Sequence, residues 1–155
     1  MDNRMKLAPT LSLFAALTVP GLIGCAGKPT RIEAEVVAAR DVNPDGAGRP
    51  SPVLVRIYEL KATGSFEGAD FFSLYDQDSA VLGADLLARE ELQMRPGTHF
   101  AVARVADPDA QFLGVLGAYR AIDQVRWRAT YPLRQGKTNA LRIRLDAGAV
   151  SVQEQ

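Results

Sequence analysis

Apolar and polar residues alternate along several short stretches of the chain, which is the pattern of β-strands buried on one face. Residues 32–38, IEAEVVA, place isoleucine, alanine and valine on one face and two glutamates on the other. Residues 52–60, PVLVRIYEL, are apolar on both faces, so a second layer is expected to cover this strand. Further strands are predicted over residues 87–94, 99–106, 112–122, 127–133, 138–146 and 149–152.

The hydrophobic period changes between the second and third predicted strands. In residues 65–87, SFEGADFFSLYDQDSAVLGADLL, apolar side chains recur at helical spacing, and Asp70 is a candidate N-cap. One or two short helices are therefore predicted, as an insert at about 65–86. About eight strands with so little helix predict a mainly β fold, a two-sheet β-sandwich with a short helical insert. Gly114 and Gly117 lie within one predicted strand, where they indicate a bulge or close packing.

The N-terminal segment differs from the rest of the chain. Its apolar run, residues 7–23, is interrupted by two prolines and is shorter than the ~20 residues of a membrane-spanning helix. Because basic residues precede the run, it is interpreted as a secretory signal peptide. The predicted division is a signal peptide at 1–24, a lipidated N-terminus and tether at 25–31, and the sandwich domain at 32–155.

The signal peptide ends in LIGC, residues 22–25, which resembles a bacterial lipobox. In a lipobox the cysteine becomes the first mature residue and carries lipid, so a diacylglycerol and an N-acyl chain are predicted on Cys25. The alternative is an ordinary signal peptide with a stray cysteine nearby. Ala26, rather than aspartate, follows the cysteine, and by resemblance to bacterial sorting this favours the outer membrane.

Composition and single residues argue against several kinds of chemistry. The formal net charge of zero offers no basic surface for nucleic acid. The one cysteine excludes an internal disulfide, and the one histidine, His99, excludes a histidine-based triad or a multi-histidine metal site. Glu90 and Glu91 are adjacent, so in a strand they point to opposite faces and cannot act as an acid and base pair. We therefore predict a protein that is not an enzyme, with no catalytic or metal site and no cofactor beyond the lipid.

Several motifs follow one another in a characteristic order. They are the lipobox at Cys25, NPDGAGRPSPVLVRIYELK at 43–61, FEGADFFSLY at 66–75, and LGVLGAYRAIDQVRWRA at 113–129. This order resembles the TssJ (SciN, VasD) family, the outer-membrane lipoproteins of bacterial type VI secretion systems. The resemblance implies a transthyretin-like β-sandwich with an added helical element and no enzymatic activity. It also implies a place on the periplasmic face of the outer membrane, where TssJ binds the periplasmic C-terminal domain of TssM in a complex with TssL.

The same resemblance places the contact with TssM in the loop between the first two strands, here residues 40–51. Proline fixes φ and lowers the entropy lost on docking, and Arg49 offers a planar fork for a partner's carboxylate. Composition alone leaves open a rigid connection that only joins two strands. The candidate partner-binding residues are Asn43, Pro44, Asp45, Gly46, Gly48, Arg49, Pro50 and Ser51.

A second function is also compatible with this pattern: a lipid-tethered periplasmic module that binds a small ligand or a carbohydrate. β-sandwiches host many such sites, but this function needs a cluster of exposed aromatic rings. The aromatic residues lie mainly in the insert and in positions typical of a core. Trp127 is expected to be buried between sheet and insert, with Arg126 and Arg128 facing the opposite way.

Overall fold

The computed structural model describes residues 27–155, so the predicted signal peptide and Cys25 lie outside the described part of the chain. Eight strands form two sheets of four, which confirms the predicted mainly β sandwich. The strands are β1 (Arg31–Ala38), β2 (Val53–Leu60), β3 (Leu86–Met94), β4 (His99–Val105), β5 (Phe112–Ala118), β6 (Arg128–Pro132), β7 (Thr138–Leu145) and β8 (Val150–Glu154). The helices are α1 (Gly64–Gly68) and α2 (Phe71–Leu82), with 3-10 turns at Gly83–Asp85 and Ile122–Gln124.

The two sheets have the strand orders β4-β1-β7-β8 and β3-β2-β5-β6. β1 lies inside its sheet, antiparallel to β4 and parallel to β7. Alternation places every second residue of these strands between the sheets, and the resulting core is fully buried. Its members include Ile32, Val36, Val55, Ile57 and Ile143.

The helical insert packs on the outer face of the second sheet, which explains why β2 is apolar on both of its faces. Leu74 and Phe66 from the two helices are buried against Tyr58, Leu60 and Leu116 of the sheet. Asp70 caps α2 as predicted, because its side chain accepts the Ser73 N–H at 3.0 Å.

Glycine is required where the insert meets β5. A Cβ at Gly114 would lie 2.8 Å from Cδ1 of Leu60 and 3.3 Å from Cζ of Phe66. Gly117 is needed on the opposite face of β5, toward the core between the sheets, where a Cβ would lie 2.7 Å from Cε2 of Tyr119. The close packing predicted for both glycines is therefore confirmed.

The strand predicted over 112–122 is too long, since β5 ends at Ala118 and Ile122 lies in a 3-10 turn. The pairing between β2 and β5 ends at Leu54 and Ala118, so no neighbouring strand continues beyond that point. The backbone N–H of Arg120 instead donates to the side chain of Asn43.

Between residues 27 and 155, none of the helices combines the length and the hydropathy that crossing a membrane demands.

Candidate functional site

The loop between β1 and β2, residues 39–52, is fixed at its base by Asn43. This residue is only 3% exposed and has a φ of 49°, a left-handed conformation that asparagine tolerates better than most residues. Its Nδ2 donates to the carbonyl of Pro52 at 2.7 Å, and its Oδ1 accepts the N–H of Arg120 at 2.8 Å. Asn43 therefore joins both ends of the β1–β2 loop to the segment that follows β5.

The tip of the β1–β2 loop is organised by Asp45. Its Oδ1 accepts the backbone N–H groups of Ala47 and Arg49, both at 2.9 Å. Its Oδ2 lies 2.8 Å from Nε and 2.8 Å from Nη2 of Arg49. Two hydrogen bonds hold the pKa of Asp45 below its ordinary value: the one from the Arg49 N–H has the larger effect, and the one from the Arg49 guanidinium the next. Gly48, with a φ of 76°, completes the turn by donating to the Asp45 carbonyl at 2.8 Å.

The predicted contact residues divide into an exposed and an enclosed group. The exposed residues are Gly46, Gly48, Arg49 and Pro50, and the half-buried ones are Pro44 and Asp45. Asn43 and Ser51 are buried, so they hold the loop in place and offer no side-chain surface. Arg49 is 80% exposed, but two of its nitrogens are engaged by Asp45. The sequence suggested that the guanidinium of Arg49 is free for a partner, but Asp45 already occupies part of it. A partner's carboxylate could reach only its remaining donors.

Neighbouring loops lie at the same end of the sandwich. The turn after β3 is attached to the end of β1, because the N–H of Gly97 donates to the carbonyls of Ala38 and Ala39 at 3.1 and 3.2 Å. A shallow cleft separates the β1–β2 loop from the segment after β5 and is lined by Pro44, Asp45, Gly46, Arg120, Ala121 and Gln124. Sequence reasoning missed the second wall of this cleft, since no local signal connects residues 120–124 with the loop.

A cluster of charged residues fastens the insert to the sheet. Asp78 of α2 is buried and accepts hydrogen bonds from Arg89 Nη1 at 2.7 Å and from the Tyr58 hydroxyl at 3.1 Å. Burial acts to raise the pKa of Asp78, but the bonds and charge of Arg89 outweigh it, so this pKa lies below its ordinary value. Burial also raises the pKa of Tyr58 to about 12. These contacts hold α2 against the outer face of the sheet.

A second ionic cluster connects the two sheets. Glu59 is almost completely buried, and it accepts Arg104 Nε at 2.6 Å and the Asp107 N–H at 2.7 Å. Arg104 also pairs with Glu90, while Glu91 accepts Arg56 Nε at 2.8 Å on the other face of the sheet. The prediction that Glu90 and Glu91 face opposite ways is confirmed.

The prediction that Trp127 is buried is wrong, because this side chain is only half-buried. β6 begins one residue later, so Trp127 lies in the irregular stretch before the strand and at the margin of the insert. Its ring meets Phe71 edge to face at 5.3 Å. Arg128 does not face away: its guanidinium carbon lies 4.5 Å from the centre of the Trp127 ring, and its Nη1 donates to the carbonyl of Phe66 at 2.9 Å.

The aromatic rings of the insert pack against one another. Phe71 stacks on Tyr75 at 5.4 Å and meets Phe72 edge to face at 5.3 Å. Phe72 is the large exposed ring here, at 63%. An exposed aromatic platform, which a carbohydrate-binding module needs, is not formed by these residues.

In the described part of the chain, no group of histidine, cysteine, aspartate or glutamate could hold a metal ion.

Comparisons with known proteins point to one family. Residues 30–148 match the family model described as Type VI secretion lipoprotein (VasD, EvfM, TssJ). The chain is similar to the T6SS lipoprotein TssJ1 from Pseudomonas aeruginosa, at 35% identity and a TM-score of 0.80, over 82% of this chain and 97% of that one. It is similar to Serratia marcescens Lip, a membrane-bound component of the type VI secretion system, at 26% identity and a TM-score of 0.75, over 82% and 98%. It also matches a chain of a type VI membrane complex at 26% identity and a TM-score of 0.70, over 81% and 99%. No curated protein matches the sequence.

Proposed function

Because the chain belongs to the type VI secretion lipoprotein family, we propose that it docks a secretion-system partner at the outer membrane. A lipid on Cys25 holds it on the periplasmic face of that membrane. Its β1–β2 loop binds the periplasmic C-terminal domain of TssM, in a complex that includes TssL. The role is one of binding and anchoring and involves no catalysis.

The observation that carries this proposal is the position of the β1–β2 loop relative to the N-terminus. The chain enters β1 at Arg31 and reaches the loop after Ala38, so the eight residues of β1 separate them. At about 3.3 Å per residue this is roughly 26 Å. A lipid attached near the start of β1 would therefore leave the loop on the far side of the domain, accessible to a protein that reaches up from the inner membrane.

The internal contacts of the loop support its role as a binding surface. Asp45 fixes the N–H groups of Ala47 and Arg49 before any partner arrives. A surface that is already ordered loses less conformational entropy on binding. The pair of Asp45 and Arg49 lies at the surface and adds little to folding stability, so its contribution is to the shape of the loop.

The test is calorimetric titration of the domain with the purified periplasmic domain of TssM. The double variant Asp45→Ala/Arg49→Ala removes the side-chain contacts that order the tip. It leaves Asn43 and the backbone hydrogen bonds of the turn in place. The matched control is Glu35→Ala/Arg142→Ala. It removes another exposed ion pair, of 2.9 Å, on the outer face of the β4-β1-β7-β8 sheet.

We expect the tip variant to bind at least about tenfold more weakly, or 1.4 kcal/mol, and the control to bind like wild type. Melting temperatures of both variants should stay within a few degrees of wild type, because 1 kcal/mol shifts such a domain by only several degrees. Unchanged affinity of the tip variant would place the interface on another surface.

A further inference from the structure

The end of the sandwich where β1 begins is closely tied to the first described residues. The Thr30 carbonyl accepts the Ala106 N–H at 2.9 Å, and its hydroxyl oxygen accepts the Gly136 N–H at 2.9 Å. The N–H of Arg31 donates to the Lys137 carbonyl at 2.9 Å. We name residues 27–31, 105–109 and 134–137 the anchor end. From Thr30 onward the chain is part of the folded domain.

The distance between the anchor end and Cys25 is limited by covalent geometry. Thr30 follows Cys25 by five positions, and an extended chain spans at most about 3.4 Å per residue, or roughly 17 Å here. An acylated cysteine sits at the surface of the bilayer that holds its chains. The tether is therefore shorter than β1 itself, and it keeps the anchor end as the part of the domain nearest to the membrane.

The anchor end holds four cations and two carboxylates, Asp107 and Asp109, and three of the cations form no ion pair in the described part of the chain. Lys28, Arg31 and Lys137 are exposed, and none of them forms an ion pair within residues 27–155. The fourth cation, Arg134, pairs with Glu154 at 2.6 Å, and Lys61 beside the anchor end lies 3.9 Å from Asp109.

An apolar groove lies beside Lys28 and includes Val105, the β4 residue that pairs with Arg31. Val105 is 51% exposed, although it is a large aliphatic residue. It lines the groove together with Pro29, Ala106 and Pro108, while Lys28 and Gln135 form part of the rim. Apolar surface bordered by lysine and arginine suits the boundary between headgroups and acyl chains, where the cations can reach phosphates.

We propose that the anchor end docks on the anionic phospholipid headgroups of the bilayer that holds the lipid of Cys25. Lys28, Arg31 and Lys137 contact the phosphates, and the groove at Val105 lies at headgroup level. This docking rests on the lipid anchor of the proposed function. It sets β1 upright on the membrane, so the β1–β2 loop points away from the bilayer.

The test uses the full lipidated protein in vesicles of phosphatidylethanolamine and phosphatidylglycerol. Since acylation blocks the thiol of Cys25, a single new cysteine can be labelled selectively with a nitroxide. One variant is Val105→Cys. The matched control is Gly46→Cys at the tip of the β1–β2 loop, where a Cβ meets no atom within 4 Å. Power saturation of the nitroxide signal measures its collisions with a water-soluble relaxing agent and with oxygen.

We expect the label at position 105 to lose access to the water-soluble agent in vesicles, and the label at position 46 to keep it. The triple variant Lys28→Glu/Arg31→Glu/Lys137→Glu should restore access at position 105, as should high salt, which screens exposed charges. A control with the same change of charge at the opposite end, Arg40→Glu/Arg95→Glu/Arg126→Glu, should leave the protection unchanged.

Cosedimentation with the vesicles separates failure of the anchor from failure of the docking. A lipidated protein that stays in the supernatant would contradict the proposed anchor. A protein that sediments while labels at 105 and 46 are equally accessible would overturn the docking alone. If the label at position 105 is also protected in detergent micelles, and nitroxides on different molecules show spin–spin coupling, the docking would be overturned. A second copy of the protein would then cover the groove.

Discussion

The carboxamide oxygen of Asn43 accepts the backbone N–H of Arg120 at 2.8 Å, although 77 positions separate the two residues. The same side chain donates to the carbonyl of Pro52. One buried amide therefore fixes the base of the β1–β2 loop and the segment after β5 relative to each other. The cleft between these two segments depends on this residue.

Replacing Asn43 by alanine should destabilise the domain by about 2–3 kcal/mol. The change removes the hydrogen bonds to the Pro52 carbonyl and from the Arg120 N–H. It also places alanine at a positive φ, which it tolerates less well than asparagine. Urea denaturation followed by circular dichroism measures the difference. Asn43→Gly removes the same hydrogen bonds without the conformational strain, so it should cost less than alanine. Equal stability of wild type and the alanine variant would show that the loop is fixed by other contacts.

Most of the fold could be predicted because its signals are local. Alternation, together with β-branched and aromatic composition, predicted the approximate positions of all eight strands, since a strand buried on one face must repeat every two residues. The cap at Asp70 was found in the same way, because its partner Ser73 is three residues further along.

The parts that were missed depend on contacts between distant residues. Asn43 was assigned to the contact surface because it lies in the loop to which the family resemblance points, and its burial depends on Arg120 and Pro52. The burial of Trp127 depends on how the margin of the insert lies over the sheet, which no short pattern encodes.

Trp127 is the only tryptophan, so its fluorescence reports on the margin of the insert. Trp127→Ala should cost about 2 kcal/mol, less than the 3–5 kcal/mol typical of a fully buried tryptophan. In wild type, acrylamide should quench the emission partially, and Phe71→Ala should increase the quenching because Phe71 packs against the Trp127 ring. Phe72→Ala is the control, since Phe72 is exposed and should leave the quenching unchanged. Equal quenching in all three proteins would contradict the contact between Phe71 and Trp127.

Gly114→Ala should loosen the insert. The added methyl group would lie 2.8 Å from Cδ1 of Leu60, so either the strand or the insert must shift, at a cost of about 1–3 kcal/mol. Thermal unfolding measures the loss, and hydrogen exchange should locate it in α1 and α2. Gly68→Ala is the matched control, because a Cβ there meets no atom within 4 Å. A Gly114 variant as stable as the control would mean that the insert is not tightly packed at this point.

Asp78 should make the stability of the domain depend on pH in the acidic range. Its pKa in the folded protein lies below the ordinary value of 3.8, since the hydrogen bonds and charge of Arg89 outweigh the effect of burial. The unfolded chain therefore binds a proton first as pH falls. The contribution of Asp78 is complete above pH 3.8 and is lost as the pH falls below that value through the lower folded pKa.

Asp78→Asn should consequently be less stable than wild type at neutral pH by about 2 kcal/mol, the size of hydrogen bonds to a charged group. This difference should shrink as the pH falls below about 4, because wild type then loses the charge that the variant never had. Denaturant unfolding at several pH values measures both curves. Asp76→Asn, a change on the exposed side of the same helix, serves as the control and should follow wild type throughout. Parallel curves for Asp78→Asn and wild type at acidic pH would show that the Asp78 carboxylate does not hold the insert on the sheet.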